Sequence, residues 1–340
     1  MDIAKEKRAI CAKCILPENK PDIYFDDKGV CNICRQAEKV TSGEDSKHFL
    51  ETEFVKILSK YKDKHPYDCM VMCSGGKDST ASLYYMKKRY KLNVLAFMFD
   101  QGFETDEAKE NVRNAVEVLG VDFLFFKSDY MKNMFTKMIK SDTKAVICHP
   151  CSLWYMQLAF DTARRYDIPI IIAGWTKGQS AKHEVIAKGA CSLNAPEFRS
   201  MALATKKFLD TLRKDPQYKD FPKSMEDVLV KADKRHKALV LSPHWFLNVH
   251  PDEYTALISR ELNWKCPDVS YPAKTTNCYM NFISVYLTLK HYGYTHYHVE
   301  ASKLIRMGLL ARQEALKGLE INFDKKLLDK ISAKIGCGVI

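Results

Sequence analysis

Three groups of residues in this 340-residue chain have the types and spacing to do chemistry. The first is Ser74-Gly75-Gly76-Lys77-Asp78-Ser79. Glycines let the main chain approach a phosphate closely, and the start of a helix offers unpaired N–H groups and partial positive charge. Ser74 and Ser79 can donate hydroxyl hydrogen bonds, and Lys77 can place a cation on a phosphate. Asp78 can orient the loop or help hold Mg²⁺. The stretch is not a Walker A loop, because GxxxxGK[ST] is absent. A plain glycine turn would not need the two serines, the lysine and the aspartate.

The second group is a cysteine quartet. Cys11 and Cys14 form one CxxC knuckle, and Cys31 and Cys34 form another after 16 intervening residues. That spacing suits four thiolates around a tetrahedral Zn²⁺, as in a zinc ribbon. About forty residues cannot build a good core alone, so a structural metal would supply the missing stability. The third group is Cys148-His149-Pro150-Cys151, a lone CxxC and a weaker signal. Twelve cysteines are many for a chain expected in the cytoplasm, where disulfides rarely persist. Metal binding or sulfur chemistry is the natural alternative.

The elements that must position these groups follow from apolar periodicity. The expected order is a helix over about 45–64, a strand from Tyr67 to Cys73 running into the glycine loop, and a helix from Thr80 to Tyr90. A strand from Asn93 to Phe99 follows, then a helix from Glu104 to Leu119, a strand from Asp122 to Phe126 and helices over Tyr130–Lys140 and Ser152–Tyr166. Ile168 to Ala173 is a last apolar strand ending at Gly174. Strands alternating with helices imply a parallel sheet covered on both faces, and continuous apolar runs fit strands buried on both sides. Cys69 and Cys73, on the first strand, are expected in the core. Beyond residue 175 the chain reads as mostly helical and lysine-rich. The expected division is a zinc ribbon over 1–45, an α/β domain over 46–182 and a helical C-terminal substrate region over 183–340.

Composition sets the broad class. A hydrophobic share of 46% with 28% charged residues is that of a soluble globular protein. No apolar run approaches the ~20 residues that span a bilayer, and the N-terminus lacks a signal-peptide core. A net charge of +11 suits a polyanionic ligand, from ATP to tRNA, or equally a lysine-rich surface kept for solubility.

The loop resembles the PP-loop, SGGxDS, of the ATP pyrophosphatases, and the resemblance covers about residues 67–182. It implies a parallel-sheet fold of the adenine nucleotide alpha hydrolase type. It also implies ATP as substrate, with Cys73 to Ser79 around the pyrophosphate leaving group. The adenine would rest on main chain at Phe97, Met98 and Phe99, with Asp100 next. Gly174, in Ala173-Gly174-Trp175, would close the site, with Lys177 nearby. The implied chemistry is activation. A carbonyl or amide oxygen is a poor leaving group, and transfer of AMP makes it a good one while Mg²⁺ and the loop stabilise pyrophosphate.

Cys148 and Cys151 resemble the pair that opens the corresponding helix in tRNA thiolases of this superfamily. There the pair and a third, later cysteine bind a [4Fe–4S] cluster, leaving one iron open to carry sulfide. Cys191, Cys266 and Cys278 are the candidates here. Cys278 is preferred because the polar turn Lys274 to Cys278 precedes an apolar helix, and Cys266 is the runner-up. The catalytic set would then be Lys77, Asp78, Cys148, Cys151 and Cys278. The whole chain also resembles the N-acetyl sugar amidotransferase branch, through DIYFDDKGVCNIC, SGGKDS, ISRELNWKCP and ASKLIRMGLLARQEALKGL. Those proteins take ammonia from a glutaminase partner, and the branch does not need Cys148, Cys151 and Cys278. Their presence shifts the expectation toward sulfur as the incoming atom, with nitrogen as the alternative. The expected partners are a small-molecule, carrier-bound or tRNA substrate, a sulfur donor or glutaminase, and a second copy meeting through the ribbon and tail helices. Among the histidines, spacing selects none.

Overall fold

The computed structural model describes residues 8–40, 50–180, 195–273, 275, 278–336 and 338. Five short strands form one parallel sheet: β1 (Cys69–Met72), β2 (Val94–Asp100), β3 (Asp122–Lys127), β4 (Ile170–Ile172) and β5 (Leu239–Leu241). Their spatial order is β3-β2-β1-β4-β5. The winding direction reverses between β1 and β4, and ligands of such sheets bind beyond the strand C-termini at that switch point. The glycine loop leaves β1 there, and Gly174 follows β4 there.

The helices are α1 (Asn32–Val40), α2 (Leu50–Ser59), α3 (Lys77–Tyr84), α4 (Asp106–Leu119), α5 (Tyr130–Lys140), α6 (Cys148–Arg165), α7 (Pro196–Leu212) and α8 (Met225–Arg235). They continue with α9 (Pro243–Phe246), α10 (Pro251–Leu262), α11 (Met280–Tyr292), α12 (His296–Arg306), α13 (Arg312–Gly318) and α14 (Lys325–Ile335).

Strand alternation sorts the apolar runs into two cores. Leu95, Phe97 and Phe99 face one side with Met70 and Ile171, under α5, α6 and α11. Val94, Ala96 and Met98 face the other with Cys69, Val71 and Ile172, under α3, α4 and α10. Both faces are covered, which explains the absence of polar alternation in β1, β2 and β4. Edge strand β3 is the half-exposed exception.

Three expectations about elements change. The helix after the glycine loop begins at Lys77, not Thr80, so Lys77 and Asp78 lie in its first turn. It continues past Tyr84 as a π-helical turn over Tyr85–Arg89. Helix α6 begins at Cys148, not Ser152, and so contains the CxxC pair rather than following it. Pro150 reads as a breaker, but in the first turn its missing N–H has no intrahelical partner to lose. Finally, the sheet takes its fifth strand, Leu239–Leu241, from beyond residue 182, inside the stretch read as helical. Three residues are too few for a periodic signal.

Candidate functional site

The phosphate loop is built by close approaches. Gly75 sits at φ +75°, and a Cβ there would lie 2.1 Å from the Ala108 carbonyl oxygen of α4. Its own carbonyl accepts from Trp264 Nε1 at 2.9 Å and Asn111 Nδ2 at 3.2 Å. Gly174 has the same character, since a Cβ would lie 2.7 Å from Ser79 Cα. The end of β4 can thus touch the start of α3. Gly75→Ala is therefore expected to lower both melting temperature and nucleotide affinity. Left-handed backbone costs alanine about 1–2 kcal/mol, and the clash is with main chain, which cannot rotate away. Differential scanning calorimetry and equilibrium nucleotide binding check this.

Inside the loop, Ser79 Oγ accepts from Ser74 N at 3.2 Å, donates to the Gly76 carbonyl at 3.1 Å and lies 3.1 Å from Ser74 Oγ. The helix cap residue, Gly76, supplies no side-chain acceptor to the first turn of α3. The orphan N–H groups there suit an anion. Lysine is disfavoured at a helix N-terminus by the macrodipole, so Lys77 makes electrostatic sense beside bound phosphate. Meanwhile its ammonium pairs with Asp78 Oδ2 at 2.8 Å. Asp78 Oδ1 accepts from the Tyr254 hydroxyl, and the Asp78 carbonyl oxygen lies 2.9 Å from His244 Nε2. Burial holds the His244 imidazole below its usual range, against the pull of Asp78. Of the two roles expected for Asp78, loop orientation is the one these contacts serve.

Cys73, Phe97 and Phe99 have buried side chains, so any part they take at a nucleotide falls to main chain. The Phe97 carbonyl accepts from Cys73 N at 2.7 Å and from Tyr155 Oη at 3.3 Å. Lys177 lies in the turn that follows Gly174. In the same turn, Gly178 packs against Glu300 of α12. Burial first, and the nearby Asp78 carboxylate second, push Glu300 up to about 8, while Lys303 and Lys77 pull it down. Helix α12 thus packs on the turn that follows Gly174, with Glu300 against Gly178 and Lys303 Nζ on the Ser180 carbonyl.

The cysteine quartet converges. The four sulfurs of Cys11, Cys14, Cys31 and Cys34 lie within 4.8 Å of one another and are buried. Sγ–Sγ distances are 3.9 Å for Cys11–Cys34 and 3.8 Å for Cys14–Cys31. Four Zn–S bonds of about 2.3 Å in a tetrahedron put sulfurs about 3.8 Å apart, so the quartet fits Zn²⁺. Main-chain N–H groups of Cys31 and Cys34 point at Cys11 Sγ (3.2 Å) and Cys31 Sγ (3.4 Å), the kind of outer contact that orients thiolate ligands. Hydrogen bonds from Cys14, Cys31 and Cys34 hold the Cys11 thiol far below its usual range, while those with Cys11 push Cys31 and Cys34 far above. The four cannot all be thiolates without a cation.

The other cysteines expected at a cluster come from two elements. Cys148 and Cys151 come from the first turn of α6. Cys278 comes from the residue pair before α11, where it bridges Glu104. Burial raises all three thiols. Cys278 also feels the charges of Glu104, Cys151 and Cys148, and Cys151 and Cys278 pack against the same hydrophobic core. Gln101 Nε2 donates to Cys278 Sγ at 2.9 Å and to Glu104 Oε1 at 3.0 Å. Burial, then Asp100, pushes Glu104 up to about 8. Cys266 is exposed, and Cys191 lies outside the described residues. Sequence reasoning did not select Gln101, Glu104, Tyr254, His244, Trp264 or Glu300. None stands in a spacing that selects it, and Trp264, although inside ISRELNWKCP, carries no mark of the loop carbonyl it reaches.

Comparison with known proteins agrees with the loop. Residues 68–193 match the family model of the queuosine biosynthesis protein QueC. An uncharacterised protein of Methanocaldococcus jannaschii, MJ1599, is 25% identical over 312 residues, covering 91% of this chain and 92% of that one. Among solved structures, the U34-tRNA thiolase NcsA of Methanococcus maripaludis with its [4Fe–4S] cluster aligns with TM-score 0.36 and 16% identity, over 92% of this chain and 90% of that one. The NMN synthetase of Francisella tularensis aligns with TM-score 0.40 and 13% identity, over 86% and 97%. The SGGKDS loop stands at the switch point of a β3-β2-β1-β4-β5 parallel sheet and within the QueC-like span, so residues 68–193 resemble the PP-loop ATP pyrophosphatases.

Proposed function

We propose that this protein transfers AMP from ATP to a carbonyl or amide oxygen of its substrate, releasing pyrophosphate. A sulfide-level nucleophile from a sulfur donor then attacks the activated carbon, so that AMP departs carrying the oxygen and sulfur takes its place. The single observation that supports the sulfur half is the pairing of Cys148 and Cys151 in the first turn of α6 with Cys278, which packs against the same core as Cys151 and is held by Gln101 and the Glu104 bridge. The donor set fits an iron–sulfur cluster, with Zn²⁺ in the separate N-terminal quartet. When bound by three thiolates, such a cluster supplies an iron free of protein ligands.

The chain's own residues have defined parts. The first turn of α3, Ser74 and Ser79 bind the β- and γ-phosphates, with Mg²⁺ as counter-ion. Asp78, held by Tyr254, keeps Lys77 pointed at the same phosphates, where it stabilises the negative charge that grows as the leaving group departs. Gln101 fixes the orientation of Cys278. The substrate, whether a small molecule, a carrier-bound amide or tRNA, presents its oxygen between the loop and the cysteines. No helix among the described residues is long and apolar enough to cross a membrane.

Anaerobic purification with iron, sulfide and zinc analysis tests the proposal. The expected result is a brown protein whose visible absorbance disappears in Cys278→Ala and Cys148→Ala while zinc stays bound. A colourless protein, active with ammonia after all three cysteines are replaced, would reject sulfur and install the amidotransferase reaction instead.

A further inference from the structure

The N-terminal quartet and the nucleotide loop are joined by one helix. Helix α12 presents two faces at helical spacing. On one, Val299 and Ser302 meet the cysteine knuckles: Val299 shares a buried cluster with all four cysteines, and Ser302 Oγ accepts from Ile15 N at 3.3 Å. On the other, Glu300 and Lys303 meet the nucleotide side. Glu300 lies against Gly178 and feels the charges of Asp78 and Lys77. Lys303 Nζ donates to the Ser180 carbonyl and lies over the Trp245 ring. Gly178 packs against the same turn, where a Cβ would come within 3.3 Å of the Glu300 carbonyl oxygen.

The knuckle is clamped from the far end as well. Arg312, at the start of α13, donates from Nε to the Cys14 carbonyl at 2.8 Å and from Nη2 to the Cys11 carbonyl at 3.1 Å. Ile15, next to Cys14, is buried with Ala301 of α12 and Ala315 of α13. A guanidinium bound to two carbonyls of one knuckle reads the turn that the thiolates impose. If the knuckle opens, both acceptors separate and Ile15 leaves its slot, so α12 loses the contacts that hold its outer face.

We propose that the metal-loaded quartet controls the nucleotide site: through Arg312 and Ser302 it seats α12, and α12 braces, with Glu300 and Lys303, the Gly178–Ser180 turn that follows Gly174 beside the phosphate loop. Arg312 and Ser302 are positioning residues. The inference rests on the assignment of the nucleotide to the glycine loop, not on the identity of the incoming atom.

The test is equilibrium binding of Mg²⁺ with α,β-methylene-ATP, which lacks the cleavable bond. It is paired with metal analysis and hydrogen exchange of α12. The expected result is that chelating the quartet metal weakens binding by about ten-fold or more, the scale of losing one or two charge-assisted hydrogen bonds. Arg312→Ala retains its metal yet binds the analogue about ten-fold more weakly, with faster exchange over 299–306, and Arg312→Lys recovers part of the loss. Should Arg312→Ala shed the metal, Ser302→Ala leaves both thiols and guanidinium in place and must show the same two changes. Wild-type affinity and wild-type α12 protection in Ser302→Ala and metal-retaining Arg312→Ala would overturn the proposal, as would undiminished binding by the stripped protein. Lys77→Ala separates the two readings. If it binds the analogue normally, the nucleotide assignment has failed. If it binds weakly while Arg312→Ala does not, only the relay has failed.

Discussion

Lys77→Ala lowers kcat by roughly 10²–10³-fold, the range found for removing one preorganised stabiliser of developing negative charge. The side chain stands at the first turn of α3 with its ammonium on Asp78 and only 12% exposed. It therefore reaches the phosphates without an entropic search and acts in a site where water screens little. The substitution also removes the partner of Asp78, but Tyr254 still donates to that carboxylate, so the loop keeps an anchor and the fold stays intact. Pyrophosphate release measured at saturating ATP, together with a thermal melt, checks both parts. Normal turnover in Lys77→Ala would remove the glycine loop from the mechanism.

Loss of the quartet metal has the largest expected effect on stability. Structural Zn²⁺ contributes about 10–16 kcal/mol in isolated finger peptides, and the knuckles here are not isolated. Their buried surface continues into Val146, Phe198, Met201, Tyr292 and Tyr294. Cys11→Ser is the most damaging single change, because Cys11 Sγ accepts the Cys31 N–H and touches Cys34. We expect it to lower metal content below one ion per chain and to shift the melting temperature down by ten degrees or more, on the order of several kcal/mol. Calorimetry with metal analysis decides. A Cys11→Ser protein that melts with wild type would mean the quartet is ornamental to the fold.

The two centres differ in how far they could be read in advance. The glycine loop and the quartet are local: each sets its ligands within a few residues or across one short hairpin, so residue type and spacing alone point to phosphate and to metal. The partners of the loop are not local. Tyr254 and His244 reach Asp78 from α10 and α9, and Trp264 and Asn111 share the Gly75 carbonyl. A tyrosine, a histidine or an asparagine outside a motif carries no periodic mark. The third cysteine shows the same divide. Cys266 and Cys278 both precede plausible turns, and only packing leaves Cys266 exposed while seating Cys278 opposite α6.

Local chemistry was thus written in the chain. Gly75 and Gly76 announced a close backbone approach, the CxxC pairs announced thiolate ligands, and apolar runs without alternation announced strands buried on both faces. Tertiary structure alone decided which distant groups meet them. It placed Leu239–Leu241 as a fifth strand and started α6 at Cys148. It also turned α12 so that Ser302 meets the knuckle while Glu300 meets the turn at Gly178. The physical reason is range. Backbone propensity and spacing act over a few residues, whereas the contacts that finish each site form only when hydrophobic burial brings together segments far apart in the chain, from Asn111 on Gly75 to Arg312 on Cys14.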